Sequence, residues 1–151
     1  MKFNDDIRAT TSGADETHKL GRSLAALAEP GDIICLYGDL GAGKTAFTKG
    51  FCHGLGYNPD QVNSPTFTLI HEYRGKTLPV FHFDAYRIKN VAEALEIGTE
   101  DYLYGEGVCL IEWPQRIMEL IPPEAVHLYI EKVSADVRSF LLTRNPKKPA
   151  N

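Results

Sequence analysis

The sequence predicts an α/β fold: a three-layer sandwich with a largely parallel central sheet and one antiparallel hairpin. Apolar runs at residues 33–37 and 108–111 are continuous, which is typical of strands buried on both faces. Helical patterns alternate with such runs, and the first run leads directly into a glycine-rich loop. This alternation favours a sheet covered by helices, with the ligand beyond the carboxyl ends of the strands.

The first half of the chain has the clearest pattern. A helix is predicted after Ser12, where leucines recur on one helical face, and it ends at Pro30 and Gly31. A strand over 33–37 follows, and then the glycine-rich loop. A second helix begins near Lys44, carries apolar residues at i, i+4 and i+8, and ends around Gly54.

The second half is predicted to contain a hairpin, two short helices around a buried strand, and two further strands. The hairpin joins residues 67–73 to residues 78–84 through a turn at 74–76. The remaining elements are, in order, a helix over 91–97, a strand over 108–111, a helix over 115–121, and strands over 126–133 and 140–143.

Length and composition limit the classes of function. A chain of 151 residues fits one domain with a sizeable core, so we predict a single domain over 1–151, with 145–151 as a loose tail. The net charge is −4, whereas a protein that binds nucleic acid unaided usually presents a strongly basic face. We therefore expect any contact with nucleic acid to pass through a partner protein.

The sequence also predicts the compartment. The first ten residues are polar and charged, unlike a signal peptide, and no apolar run approaches the roughly 20 residues of a spanning helix. The three cysteines form no C-x-x-C pair, which is typical of reduced thiols. We expect a cytoplasmic protein without membrane contact.

Residues 38–45 match G-x-x-x-x-G-K-[ST], the phosphate-binding loop of many nucleotide-binding proteins. Because this loop follows a buried strand and opens a helix, the predicted three-layer sandwich is P-loop NTPase-like. Glycines let successive backbone N–H groups converge on phosphate oxygens, and the helix that follows adds its positive end. Lys44 can reach the β and γ phosphates, and the Thr45 hydroxyl can ligate Mg²⁺. The alternative is a glycine turn that only caps a helix. The predicted phosphate-binding residues are Asp39, Leu40, Gly41, Ala42, Gly43, Lys44 and Thr45.

Two carboxylates end predicted strands at the ligand edge of the sheet. Asp84 follows the strand of the hairpin, and Glu112 follows the run at 108–111. Either can ligate Mg²⁺ or orient an attacking water, and either can instead be a solvated strand-end carboxylate. Thr66 lies where many P-loop proteins sense the γ phosphate, or it caps a plain turn. Arg87 can face a phosphate or a partner, or form a surface salt bridge.

Taken together, the motifs resemble a known family. They are Gly38-Asp39-Leu40-Gly41-Ala42-Gly43-Lys44-Thr45, Ser64-Pro65-Thr66-Phe67, His82-Phe83-Asp84-Ala85-Tyr86-Arg87 and Glu112-Trp113-Pro114. Their order and spacing resemble the TsaE (YjeE) family of bacterial ATPases, which serve threonylcarbamoylation of the adenosine beside the anticodon in certain tRNAs. The resemblance runs from about residue 21 to residue 123. The phosphate loop is shared by many families, whereas Asp-x-Tyr-Arg followed by Glu-Trp-Pro is much more specific.

The resemblance implies a small cytoplasmic ATPase that uses ATP and Mg²⁺ and works with the TsaB and TsaD proteins. It implies a Walker B-type acid at Asp84, a second acid at the metal at Glu112, and a functionally required neighbour at Trp113. Thr66 would lie in a switch-like segment. ATP hydrolysis would reset the complex, and tRNA would be contacted only indirectly.

Three points stay open on the sequence. We favour Asp84 for orienting water and Glu112 for the metal, but the reverse is possible. Trp113 is either a partner contact or a core anchor. With Arg87 as the sole well-placed arginine, we expect slow hydrolysis that partners stimulate. The competing functions are a small-molecule P-loop kinase, although no arginine-bearing lid is recognisable, and a binding-only nucleotide switch.

Overall fold

In the computed structural model, the described residues are 1–39, 41–62 and 69–146. They form one seven-stranded sheet in the order β1-β7-β6-β2-β5-β4-β3. The strands are β1 Ile7–Ser12, β2 Ile33–Tyr37, β3 Ile70–Tyr73, β4 Val80–Asp84, β5 Val108–Glu112, β6 Val126–Lys132 and β7 Val137–Thr143. The α-helices are α1 Gly13–Ala25, α2 Lys44–Gly54, α3 Val91–Glu96 and α4 Thr99–Leu103, and the 3-10 helices are Pro59–Gln61, Ala85–Arg87 and Pro114–Leu120.

The predicted α/β class is confirmed, but the sheet is more mixed than expected. The central strands β6, β2, β5 and β4 are mutually parallel. Antiparallel strands flank them on both sides, β7 and β1 beyond β6 and β3 beyond β4. The predicted hairpin is β3–β4, and its register places His71 directly opposite His82. The carboxyl ends of the four parallel strands therefore share one edge of the sheet.

Some elements differ from the sequence prediction. Strand β1 was not predicted, because its segment IRATTS alternates partly buried and exposed residues without a long apolar run. Helix α4 was also missed, since it lies in a short polar stretch. The helix expected over 115–121 is a 3-10 helix that begins at Pro114. The expected loose tail at 145–151 lies mostly outside the described residues.

Helices cover both faces of the sheet. Successive strand residues point to opposite faces, so Ile34 and Leu36 of β2 pack with Phe47 and Phe51 of α2 on one face. On the other face, Cys35 and the intervening residues of the neighbouring strands pack against the short helices. The two hydrophobic clusters are separated by the sheet, which gives three layers.

Glycines hold the first two helices close together. A Cβ on Gly50 of α2 would lie 1.9 Å from the backbone oxygen of His18 in α1, and a Cβ on Gly21 would lie 2.4 Å from the oxygen of Phe47. Only glycine permits such a close approach of two helix backbones. This contact helps to fix the position of α2, at whose amino end the glycine-rich loop arrives.

None of the helices in the described ranges is long and apolar enough to span a bilayer.

Candidate functional site

The glycine-rich loop connects the carboxyl end of β2 to the amino end of α2. Gly43 precedes the helix with φ 109°, a left-handed conformation that L side chains rarely adopt. The helix then begins at Lys44, so its amino-terminal N–H groups and positive dipole end lie beside the loop. The loop is thus shaped to receive an anion.

A cavity of about 500 Å³ opens at this end of the sheet. Its wall combines the glycine-rich loop, the ends of β4 and β5, the amino end of α1 and the β6–β7 turn. This volume falls within the usual range of small-molecule sites, roughly 300–1,000 Å³. The residues that line it are Gly13, Ala14, Thr17, Gly41, Gly43, Lys44, Thr45, Ala46, Asp84, Glu112, Trp113, Ala135, Asp136 and Arg138.

The two strand-end carboxylates are neighbours across the sheet. Asp84 of β4 pairs with Glu112 of β5 in the parallel register, and Glu112 in turn lies beside Leu36 of β2. The Asp84 Oδ1 atom accepts a hydrogen bond of 3.0 Å from the backbone N–H of Tyr86, which caps the following 3-10 helix. Both carboxylates border the same cavity as Lys44 and Thr45.

Glu112 lies at the centre of a buried charge network. Its Oε1 atom is 3.8 Å from the Nζ atom of Lys44, and its Oε2 atom accepts a hydrogen bond of 2.8 Å from the Nε2 atom of His82. Burial alone would raise the pKa of Glu112, but the His82 hydrogen bond and the Lys44 charge together lower it. Glu112 is therefore ionised at neutral pH although only 8% of its surface is exposed.

Trp113 connects this network to the surface. The Lys44 Nζ atom lies 4.4 Å from the centroid of the Trp113 ring. The centroids of the Tyr86 and Trp113 rings are 5.2 Å apart. The guanidinium of Arg116 then covers Tyr86 at 5.3 Å. Within the described ranges, Trp113 is the one non-glycine residue with positive φ, 56°. The indole of Trp113 therefore contacts the Lys44 ammonium while the Trp113 backbone is held in a left-handed conformation that is unfavourable for a bulky residue.

Comparison with known proteins decides the family. Residues 11–140 match the family model described as threonylcarbamoyl adenosine biosynthesis protein TsaE. A Bacillus subtilis relative named tRNA threonylcarbamoyladenosine biosynthesis protein TsaE is 45% identical over 137 residues, covering 91% of this chain and 85% of the relative. A Treponema pallidum relative of the same name is 38% identical, covering 86% of this chain and 94% of the relative. This chain belongs to the TsaE family.

A solved structure supports the assignment. The crystal structure of YdiB from Bacillus subtilis matches this TsaE-family chain with a TM-score of 0.76 and 38% sequence identity. The match covers 95% of this chain and 88% of that one. The fold of this chain is therefore similar to that of YdiB over nearly its whole length.

The structure brings together most, but not all, of the residues predicted to form the site. Gly41, Gly43, Lys44 and Thr45 line the cavity with Asp84, Glu112 and Trp113. Asp39 and Ala42 instead line a second cavity on the other side of the loop, beside Tyr37 and Tyr129. Leu40 and Thr66 lie outside the described residues, as does the rest of the segment 63–68.

Arg87 lies on the surface beside the site. It belongs to the 3-10 helix Ala85–Arg87, its side chain is exposed, and it is not among the described residues that line the cavity. Of the roles considered for Arg87, contact with a phosphate therefore has no support from the cavity lining, and contact with a partner stays a prediction.

Among the described residues, Arg138 is the arginine that lines the cavity, and no local sequence pattern indicates this. It lies in β7, and its Nη2 atom donates to the backbone oxygen of Gly41 at 3.0 Å. Its Nη1 atom donates to the oxygens of Ser134, Ala135 and Val137. Strand β7 is far from the loop in sequence and lies between β1 and β6 in the sheet. The contact between Arg138 and Gly41 could therefore be found only from the sheet order.

His82 was also missed, but here a signal existed. It precedes Asp84 by two residues in β4, and residues two apart in a strand point to the same face. A strand that ends in a functional carboxylate thus places the residue two positions earlier on the functional side.

Proposed function

We propose that this protein is a slow Mg²⁺-dependent P-loop ATPase that supports threonylcarbamoyladenosine modification of tRNA together with TsaB and TsaD. The observation that carries the proposal is the convergence of the glycine-rich loop, Lys44 and two strand-end carboxylates on one cavity. A loop that merely caps α2 has no need of a lysine paired to a buried carboxylate.

The triphosphate would bind at the amino end of α2. Backbone N–H groups of the loop and the helix dipole favour an anion there, and Lys44 supplies a full positive charge. In the described structure Lys44 is only 7% exposed and pairs with Glu112. If Lys44 moves from that carboxylate to phosphate, it exchanges one negatively charged partner for another. Its buried ammonium group therefore stays paired with a negative charge.

The oxygen atoms around the cavity suit Mg²⁺. Thr45, Asp84 and Glu112 all border it, and Mg²⁺ prefers such hard oxygen ligands together with waters and substrate phosphates. Among the described residues, no group of three or more His, Cys, Asp or Glu side chains could hold a metal alone. A site completed by nucleotide phosphates fits this donor set, and the metal would neutralise charge on the phosphoryl group.

Within this site we assign Glu112 to the metal and Asp84 to the attacking water. Glu112 is buried, ionised and held between His82 and Lys44, as a metal ligand should be. Asp84 is partly exposed, so water can reach its second oxygen while Oδ1 is occupied by the Tyr86 N–H group. A carboxylate placed in this way can accept a proton from the attacking water.

Turnover without partners should be slow, because the nearest arginine is already engaged. Arg138 donates to carbonyl oxygens of the 134–137 turn and to Gly41, so it braces the loop instead of projecting toward a transferred phosphoryl group. An arginine that does project toward the transferred phosphoryl group raises turnover by about 10³- to 10⁵-fold in phosphoryl-transfer enzymes. Partner binding would complete the arrangement.

We place the partner contact at the nucleotide edge, around Trp113. The expectation from the sequence that residues 64–66 and Arg87 take part stays a prediction, because 64–66 lie outside the described residues and Arg87 is exposed but does not line the cavity. Trp113 is half-buried and lies between Lys44 and the exposed Tyr86, so a partner bound there would respond to the nucleotide state. The net charge of −4 favours indirect contact with tRNA through TsaB and TsaD. The compartment we propose is the cytoplasm.

The deciding experiment measures phosphate release from Mg–ATP by the isolated protein and by its mixture with TsaB and TsaD. We expect slow release alone and faster release in the mixture. The matched variants are Lys44→Ala and Lys49→Ala, which remove lysines from the same helix, one inside the cavity and one outside it. Lys44→Ala should abolish release and Lys49→Ala should preserve it. Equal effects of the two variants, or no release under either condition, would refute the ATPase.

Trp113→Ala tests the partner contact separately. We expect the variant to fold and bind ATP, because the indole is only half-buried, and to lose the stimulation by TsaB and TsaD. An unfolded variant would identify Trp113 as a core anchor, and undiminished stimulation would place the docking surface elsewhere.

A further inference from the structure

His82 is a buried histidine without an assigned role. It occupies the middle of β4 with only 2% of its surface exposed, between Phe81 and Phe83, which point to the opposite face of the sheet. The histidine itself faces the side of Asp84 and α2. Its Nε2–H group donates to the Glu112 Oε2 atom at 2.8 Å, so the hydrogen bond joins two neighbouring strands from within the core.

The other ring nitrogen of His82 has no hydrogen-bond partner among the described residues. Leaving a buried polar nitrogen unpaired disfavours the folded state, and most buried polar groups avoid it. Packing therefore does not explain a histidine here, since an apolar side chain of similar size would fill the same space. What the histidine adds is the single N–H group that reaches Glu112.

We propose that His82 is a positioning residue that fixes the Glu112 carboxylate for Mg²⁺. Its hydrogen bond holds Oε2 toward the core, which leaves Oε1 directed at Lys44, 3.8 Å away, and at the cavity. This inference rests on the proposed function, because it concerns the same metal site. It assigns to His82 no contact with nucleotide or metal.

The need for His82 is greatest when nucleotide is bound. In the described structure Glu112 has two partners, Lys44 and His82. Once Lys44 turns to the phosphates, His82 is the remaining side chain that holds the carboxylate. Groups that orient a metal-binding side chain in this way typically change metal affinity by about 10- to 100-fold when they are removed.

The test compares three variants. His82→Gln keeps an N–H donor near the position of Nε2, whereas His82→Met has similar length and no donor. The control is His71→Met, which alters the histidine directly opposite on β3; among the described residues, the hydrogen bond and ion pairs of Glu112 are with His82 and Lys44 and not with His71. Thermal unfolding is followed with ATP alone and with ATP plus increasing Mg²⁺, and phosphate release is measured over a range of ATP concentrations up to saturation.

We expect His82→Met to raise the Mg²⁺ concentration for half-maximal stabilisation by about 10-fold or more. Its response to ATP without Mg²⁺ should match that of the unchanged protein, and its phosphate release should fall without a rise in the KM for ATP. His82→Gln should restore the Mg²⁺ dependence to within about threefold, and His71→Met should leave it unchanged. A purely structural role would lower the unfolding temperature without this selective effect on Mg²⁺.

A folded His82→Met variant with an unaltered Mg²⁺ dependence would overturn the inference. If that variant does not fold, His82→Asn replaces it, since its shorter amide does not reach Glu112. The same readings separate the two proposals: an unchanged protein that gains no stability from Mg–ATP refutes the proposed function and this inference with it. A normal response of the unchanged protein together with an unaffected His82→Met refutes the positioning role alone.

Discussion

The two ends of the cavity are built in different ways. At one end, Gly41, Gly43, Lys44 and Thr45 lie close together in sequence, and this end offers backbone N–H groups and a helix terminus. At the other end, Asp84 and Glu112 come from separate strands and meet because β4 and β5 pair in register. The first end depends on local conformation, and the second depends on the sheet.

Lys44 belongs to both ends. It begins α2, yet its ammonium lies between the Glu112 carboxylate and the Trp113 ring. The difference between the ends suggests a division of labour: the loop end supplies affinity for phosphate, and the acid end supplies the chemistry. In the proposed mechanism, Lys44 would leave the Glu112 carboxylate when a phosphate binds at the loop end.

The largest expected effect is on turnover at the acid end. Asp84→Asn removes the proposed base while keeping the shape of the side chain, so we expect phosphate release to fall by about 10²–10⁴. The affinity for ATP should change only a few-fold, because the loop end is intact. A rate assay and a binding titration on the same preparation check this. The matched control is Asp101→Asn, an exposed carboxylate in α4 away from the cavity.

The loop end should show the opposite behaviour. Lys44→Ala removes a charge-assisted contact to phosphate, for which we expect affinity for ATP to fall by about 10- to 100-fold. The stabilisation of the protein by Mg–ATP in a thermal-shift titration should fall accordingly. An unchanged ATP response in this variant would mean that the loop is not the binding site.

A smaller signal should report the coupling between the ends. Trp113 is the single tryptophan of the chain, and the Lys44 ammonium lies 4.4 Å from its ring. We expect Mg–ATP to change the tryptophan emission, since Lys44 moves from the indole to phosphate. At ATP concentrations that saturate Lys44→Ala, that variant should show little change. Equal changes in tryptophan emission in both proteins would show that the signal from Trp113 does not depend on Lys44.

The smallest effect concerns a region outside the cavity. Burial lowers the pKa of His127, whose Nδ1 atom lies 2.9 Å from the Tyr37 hydroxyl. The unfolded chain should therefore take up a proton at about pH 6.5 more readily than the folded one, so stability falls as the pH drops below that value. In His127→Asn, the free energy of unfolding should fall less steeply as the pH drops, and the slope should decrease by the equivalent of at most one bound proton. Denaturant titrations at several pH values measure it. An unaltered pH dependence would assign the fall to other groups.

The same contrast explains what the sequence could predict. The loop, β2 and α2 were predictable because glycine, lysine and apolar periodicity act over a few neighbouring residues. Asp84 and Glu112 were found because both end apolar strands of a parallel type. Arg138 was not, since its approach to Gly41 depends on β7 lying beside β6 and β1. The exposed position of Arg87 was not predictable either, because it depends on the 3-10 turn that follows Asp84.

The central claim, that one cavity binds ATP at the loop end and hydrolyses it at the acid end, is tested most directly by calorimetric titration of Mg–ATP. The titration is run on the unchanged protein, on Asp84→Asn and on Lys44→Ala. We predict one site per chain in the first two, with dissociation constants within a few-fold of each other, and greatly weakened binding in the third. Absence of binding to the unchanged protein would contradict the account, and so would a loss in Asp84→Asn as large as that in Lys44→Ala.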